Sequence, residues 1–327
     1  MRPVQSSVVV VFISSFLSAA ALTGLRAASL SDGLRITTAA NVTLRLTPVA
    51  GAGAVGQLPL GSELVEVGPP GMDKTWLRVR DAAGREGWLQ ANLTRRLDPA
   101  WRWTAYDEVV SDRLARKGDG FSAAVELVIF IERVLPEYTN ADGRAQIELN
   151  YLRAVSAALA AIPRRGDQRE PYAGFLKDKA ALVVFDEPGG RWMINDKAIW
   201  DLHAKAARTP SAEPTAWFAV TNGLRGECGG YLPCYVDWRN RLEGEYLRRH
   251  PDGAHAGQAV ATITTVTERL VAPARPQQAF QFDRDRDCRD LSRNLEALTK
   301  AVHVSQVGGK DAALTGLGSL KRLCSLP

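Results

Sequence analysis

The stretch Trp76-Leu77-Arg78-Val79-Arg80-Asp81-Ala82-Ala83-Gly84-Arg85-Glu86-Gly87-Trp88-Leu89 decides how the N-terminal part of this chain is read. Leu77 and Val79 alternate with Arg78 and Arg80, the period-two pattern of a strand with one apolar face. Asp81-Ala82-Ala83-Gly84 supplies turn residues, and Glu86 to Leu89 closes the hairpin. The same pattern extends upstream. Leu44-Arg45-Leu46 alternates, and Pro48 to Gly56 is a Gly/Ala-rich turn. Gln57-Leu58-Pro59-Leu60-Gly61-Ser62 leads into Glu63-Leu64-Val65-Glu66-Val67, which Gly68-Pro69-Pro70-Gly71 ends. Short strands at this spacing over residues 35–97 predict a small all-β barrel.

Taken in order, Asn41-Val42-Thr43-Leu44-Arg45, Gly56-Gln57-Leu58, Gly61-Ser62-Glu63-Leu64, Trp76-Leu77-Arg78-Val79 and Gly87-Trp88-Leu89 resemble the bacterial SH3-like (SH3b) domain. The family's Leu-Asn-Val-Arg entry is altered here to Val42-Thr43-Leu44-Arg45, and its following Gly-Pro becomes Leu46-Thr47-Pro48. The resemblance implies an SH3-like barrel that binds cell-wall peptide or an envelope protein, with no catalysis of its own. Trp76 and Trp88 have two readings. They are platforms for a peptide or glycan, or they are aromatics filling a barrel too small to bury much else. Arg45, Arg78, Arg80 and Arg85 either attract anionic wall polymer or form a solvated strand face.

Asp98-Pro99-Ala100 marks the expected boundary, and residues 98–327 read as mainly helical. The aromatic run Trp101-Arg102-Trp103-Thr104-Ala105-Tyr106 is expected to dock the barrel onto the next domain, with an exposed ligand patch as the alternative. Helices are expected over Glu108–Arg116, Phe121–Val134 and Arg144–Ile162; in the last, Ile147, Tyr151, Val155, Ala158 and Ile162 recur at helical steps. Further helices are expected over Thr215–Gly223, Val236–Arg249, Ala254–Leu270, Cys288–Val302 and Lys310–Cys324. Ala181–Phe185 and Arg191–Ile194 flank a Pro-Gly-Gly turn. They fit a short β-hairpin, and equally a helix end followed by an extended segment.

The first 28 residues have the three-part order of a secretory signal: Arg2, an uncharged run from Val8 to Leu25, and a small-residue exit at Ala27-Ala28. The run is near the length of a membrane anchor, but Ser14, Ser15, Ser18 and Thr23 dilute it. No later stretch is apolar enough to span, so a periplasmic or extracellular chain without a membrane span is expected after cleavage. Losing Arg2 and Arg26 lowers the formal charge from +5 to +3, too mild for a nucleic-acid partner.

Export changes how Cys228, Cys234, Cys288 and Cys324 are read. In an oxidising compartment four cysteines suggest two disulfides with three connectivities, and proximity favours Cys228–Cys234 and Cys288–Cys324. Five residues separate Cys228 from Cys234, and His250, His255 and His303 keep no ligand spacing to the cysteines, so no metal site and no cofactor are expected. The acids of Asp283-Arg284-Asp285-Arg286-Asp287 lack the glycine and distal glutamate of a calcium loop and suit a helix start. No nucleophile elbow, zinc-protease motif or thiol–histidine pair occurs. A glycosidase needs only two carboxylates; Glu126 with Glu132, or Asp186 with Glu187, are the candidates. The expectation is a non-enzymatic envelope protein with a disulfide-stapled helical scaffold, and the alternative is a wall hydrolase with an unrecognised helical catalytic domain.

Overall fold

A computed structural model describes residues 33–69, 74–116, 118–224, 227–272 and 284–324. The expected export segment, residues 1–28, lies outside them, as does Asp283 of the acid-rich run. Seven strands come first: β1 Leu34–Thr37, β2 Val42–Arg45, β3 Ala54–Leu58, β4 Glu63–Glu66, β5 Trp76–Asp81, β6 Glu86–Gln90 and β7 Thr94–Arg96. They form one antiparallel sheet in the order β3-β2-β6-β5-β4-β1-β7. The alternation seen in the sequence becomes a face, with Val42, Leu44, Leu58, Leu64, Leu77, Val79 and Leu89 making a small core. Gly87 lies opposite Val79, and a Cβ there would come within 2.7 Å of Leu44 Cγ and Arg45 O. The Gly-Trp pair therefore marks the place where β2 crosses closely over β6.

The rest is helical around one hairpin. α1 Arg102–Ala115, α2 Phe121–Val134, α3 Ala141–Ala160 and α4 Tyr172–Asp178 precede β8 Val183–Asp186 and β9 Arg191–Ile194. The two apolar runs do pair, Val183 with Ile194 and Asp186 with Arg191, which decides between the two readings of this insert. α5 Asp196–Lys205 is capped by the Asn195 side chain, which accepts from the Lys197 amide at 2.9 Å. α6 Ala212–Asn222, α7 Leu232–Arg239, α8 Glu245–Arg249, α9 Ala256–Val271, α10 Arg284–Val304 and α11 Lys310–Leu323 follow.

The helix expected over Val236–Arg249 is interrupted by a π-helical turn, Asn240–Gly244. Gly244 explains its placement, because a Cβ there would stand 3.0 Å from Leu298 on α10. The turn brings backbone against the neighbouring helix where a side chain would hold it away. The acid-rich run begins α10: Asp287 is fully buried and accepts from Arg286 at 2.7 Å, and Asp290 accepts from Tyr231 at 2.9 Å.

Two helical cores result. One joins α1, α2, α3 and the hairpin with Ile36, Leu60 and Leu97 from the β lobe. The other unites α6 to α11, and Trp200 packs against both. Disulfides join Cys228 to Cys234 and Cys288 to Cys324, both in or beside the second core.

The seam between β lobe and helices is specific. Gly61 has φ +70°, and a Cβ on it would lie 2.2 Å from the Phe130 ring. Arg133, one turn further on α2, donates to the carbonyls of Leu60 at 3.0 Å and Gly61 at 2.7 Å. Glu126 accepts from Asn41 at 2.7 Å, and Arg102 pairs with Glu63. Tyr106 is buried and donates to Glu63 at 2.8 Å; burial and that carboxylate push its phenol well above the usual range, so it remains a donor. The aromatic run read as the dock is thus corrected. Arg102, Ala105 and Tyr106 perform that task, while the two tryptophans of the run, Trp101 and Trp103, are 59% and 42% exposed.

Gly61→Ala places a methyl against Phe130 and strains a left-handed backbone, so urea unfolding should show a loss of about 2–4 kcal/mol; an unchanged midpoint would contradict the seam. Replacing Cys288 and Cys324 by Ser opens a loop with a sequence separation of 36, against 6 for Cys228 and Cys234. The first double variant should lose about 4 kcal/mol and the second about 2, and equal losses would contradict loop closure as the source.

Candidate functional site

The tryptophans singled out in the sequence are distributed over the β lobe and its border. Trp76 is 8% exposed, and Trp88 is half-buried opposite Arg78. Among the described residues only Trp101 and Trp103 meet, edge to face with ring centroids 5.4 Å apart. Trp76 is largely core, and part of it also lines a surface hollow of about 210 Å³. Asn41, Thr43, Arg45 and Gln90 supply polar walls to that hollow. Arg45 donates to Ala52 O at 2.8 Å and ties down the β2–β3 loop, which exposes Leu46 (66%) and Val49 (59%). Ala50 of the same loop also lines the hollow.

Local partners account for the strand arginines. Arg78 and Arg80 bond Glu86 at 3.0 and 2.6 Å, and Arg85 bonds Asp81 at 2.7 Å. Burial alone would raise the Asp81 carboxyl, but the Arg85 guanidinium and the backbone donors of Arg85 and Ala83 hold it below its usual value. These cations are therefore largely compensated on their own sheet, which favours the solvated strand face over a polymer-binding surface.

The candidate carboxylate pairs are not assembled. Glu126 faces Asn41 and the β lobe, whereas Glu132 accepts from Tyr151 at 2.8 Å and pairs with Lys179 at 2.5 Å. Asp186 is buried and faces Arg191 at 3.5 Å, while Glu187 is exposed in the hairpin turn. Each acid has its own surroundings, and neither pair brackets a shared cleft as a glycosidase would need.

Sequence spacing missed a polar cluster around Tyr246 that collects three of the chain's four histidines. His203 on α5 meets His250 with Nε2 atoms 3.0 Å apart. Glu213, in the first turn of α6, accepts from the Tyr246 hydroxyl and lies 2.7 Å from His255 Nδ1. The His255 amide donates to Tyr246 Oη at 3.1 Å, and Trp217 stacks on the His255 ring at 4.5 Å. Gly253 is required in the turn between α8 and α9, because a Cβ would stand 2.5 Å from the Tyr246 hydroxyl. No local pattern announced the cluster, because Glu213 and His203 lie 42 and 47 residues upstream of their partners. A His Nδ1–H held by a carboxylate leaves Nε2 as a base, yet the described network brings no hydroxyl or thiol nucleophile to it. Its contacts tie the turn between α8 and α9 to α5 and α6.

Burial, then the charges of Arg249 and His250, lower the His203 pKa to about 4, and burial lowers His250 too. Burial would raise Glu213, but Tyr246 and His255 outweigh it and hold the carboxyl below its usual range. In the unfolded chain a histidine takes a proton near pH 6.5. Folded His203 does so only near 4, and His250 below its usual value, so the stability they contribute is complete above about pH 6.5 and is lost as pH falls toward 4. Glu213 adds a further loss below its ordinary pKa of 4.5, while Asp107 and Asp196, both raised by burial, work in the opposite sense. Lowering the pH from 7 to 5 should cost on the order of 2 kcal/mol in urea titrations, with less dependence in His203→Phe. A pH-independent midpoint, or an identical slope in the variant, would refute the assignment.

Comparisons of this chain with protein-family models, curated proteins and solved structures gave no match.

Proposed function

We propose that this chain is an exported, non-enzymatic protein of the bacterial cell envelope, whose β lobe acts as an SH3-like module that binds cell-wall peptide. The hollow beside Trp76 is the observation that carries the reading. Its 210 Å³ is smaller than a drug-sized pocket and suits one or two residues of an extended peptide. Thr43, Gln90 and Asn41 offer donors and acceptors to a peptide backbone, and Leu46 and Val49, exposed on the loop whose Ala50 lines the hollow, would give a bound segment apolar surface to cover.

Two further features support an extracytoplasmic setting. Both cysteine pairs are disulfides, which persist in oxidising compartments. Among the described residues no helix is long and apolar enough to cross a membrane. The helical part then serves as the scaffold. The seam through Gly61, Phe130 and Arg133 holds it at a fixed orientation to the hollow, so peptide bound there is presented to the helices in one geometry.

The mature protein should pellet with purified peptidoglycan without releasing soluble fragments. Leu46→Ser combined with Val49→Ser, two exposed positions, should leave unfolding unchanged and weaken pelleting about tenfold, equivalent to about 1.4 kcal/mol of lost apolar cover. Fragment release would establish the hydrolase in its place, and failure to pellet would remove wall binding altogether.

A further inference from the structure

A second concavity, of about 850 Å³, lies among the end of α3, the turn after it, the β8–β9 hairpin and the end of α6. That volume is within the range of small-molecule sites. Two turn segments, Pro163-Arg164-Arg165-Gly166-Asp167 after α3 and Asp186-Glu187-Pro188-Gly189-Gly190 between β8 and β9, contribute much of its lining.

Arg165 is the anomaly of this lining, the one non-glycine residue in it with a left-handed backbone, as Asn41 and Lys74 have in the β lobe. The Gly166 amide closes the turn on Pro163 O at 2.8 Å, and Arg165 inside it holds φ +60°. This left-handed conformation belongs to glycine or asparagine, and a long side chain there is disfavoured. A residue that breaks its local rule points to a role for its side chain. Arg164 and Arg165 are both exposed, both line the cleft, and neither forms an ion pair among the described residues. Arg191, across the cleft on β9, has its charge offset by Asp186 at 3.5 Å.

The opposite wall is aromatic. Phe185 is 40% exposed, and Trp192 lies against it with ring centroids 5.3 Å apart. The buried Trp192 Nε1–H has no acceptor among the described residues, although an indole N–H normally finds one. Asp167 and Glu187 complete the rim. Carboxylates beside free guanidiniums would oppose a polyanion such as a nucleotide, but they are acceptors for hydroxyl groups.

We propose that this cleft binds an acidic saccharide, its carboxylate on Arg164 and Arg165, its ring face against Phe185 and Trp192, and its hydroxyls donating to Asp167 and Glu187. The site is separate from the hollow on the β lobe and does not depend on peptide binding there.

Isothermal titration of the mature full-length chain tests it with three probes: N-acetylmuramic acid, which keeps its lactyl carboxylate and carries no peptide, trigalacturonic acid and uncharged chitotriose. At least one acidic probe should bind with 1:1 stoichiometry and roughly tenfold or more above chitotriose, as charge-assisted bidentate contacts require. Binding of the muramyl compound alone identifies the cell wall as the source, and binding of trigalacturonate identifies uronic acid polymers. Neither acidic probe carries peptide, so both report on this cleft independently of the β lobe. Arg165→Gly relieves the backbone while removing the side chain, so its unfolding midpoint should not fall, and affinity for the acidic probe should drop roughly tenfold. Leu46→Ser with Val49→Ser should leave that affinity unchanged. Equal binding of chitotriose, no binding of either acidic probe, or wild-type affinity in Arg165→Gly overturns the proposal.

Discussion

The contact between Gly61 and Phe130 is the constraint on which the two-part architecture rests. The strand lobe buries only a handful of side chains in its own core, too few for a unit of this size to gain much independent stability. It borrows the remainder from α2 by lending Ile36, Leu60 and Leu97 to the larger core. That loan requires the β3–β4 turn to lie flat on an aromatic ring, which only a residue without Cβ permits. Arg133 then satisfies two carbonyls that the close approach would leave without water. Apolar contact and polar satisfaction meet within one helical turn.

The second half solves a different problem. Its α7 and α8 are short and are joined through a π turn, so propensity alone holds them poorly. Long-range polar links compensate. Glu213, Tyr246 and His255 connect α6, α8 and the start of α9, and His203 with His250 adds α5. Arg239 and Glu243 form a buried pair at 2.5 Å inside the irregular segment. Such networks give geometric definition more than net stabilisation, because each charged group gives up its hydration to join them.

Legibility in the sequence followed the range of the interactions. Strands β2, β4, β5 and β6 and helices α2, α9 and α11 were visible because one face of each is apolar at the right period. The π turn was not, since it arises from the contact of Gly244 with Leu298, 54 positions later. Trp101 and Trp103 looked like packing residues by type, yet direction along the helix, and not hydrophobicity, put Tyr106 in the seam and left them outside. The histidine cluster and the arginine-lined cleft share that limit. Each is assembled from segments that carry no common local pattern, and only the left-handed Arg165 betrays itself through backbone geometry.

The placement of the disulfides sets an order of events during biogenesis. Neither cross-link touches the strand lobe or the first helical core, so residues up to about the hairpin can consolidate with every thiol still reduced. Cys228 meets its partner after six residues of chain, whereas Cys288 must wait for another 36. Early closure of the short loop takes two thiols out of circulation before Cys324 emerges. Of the three pairings open to four cysteines, only the native one then remains without reshuffling. The tight Gly-Gly turn between Cys228 and Cys234 thus acts as a kinetic guard for the more distant bond.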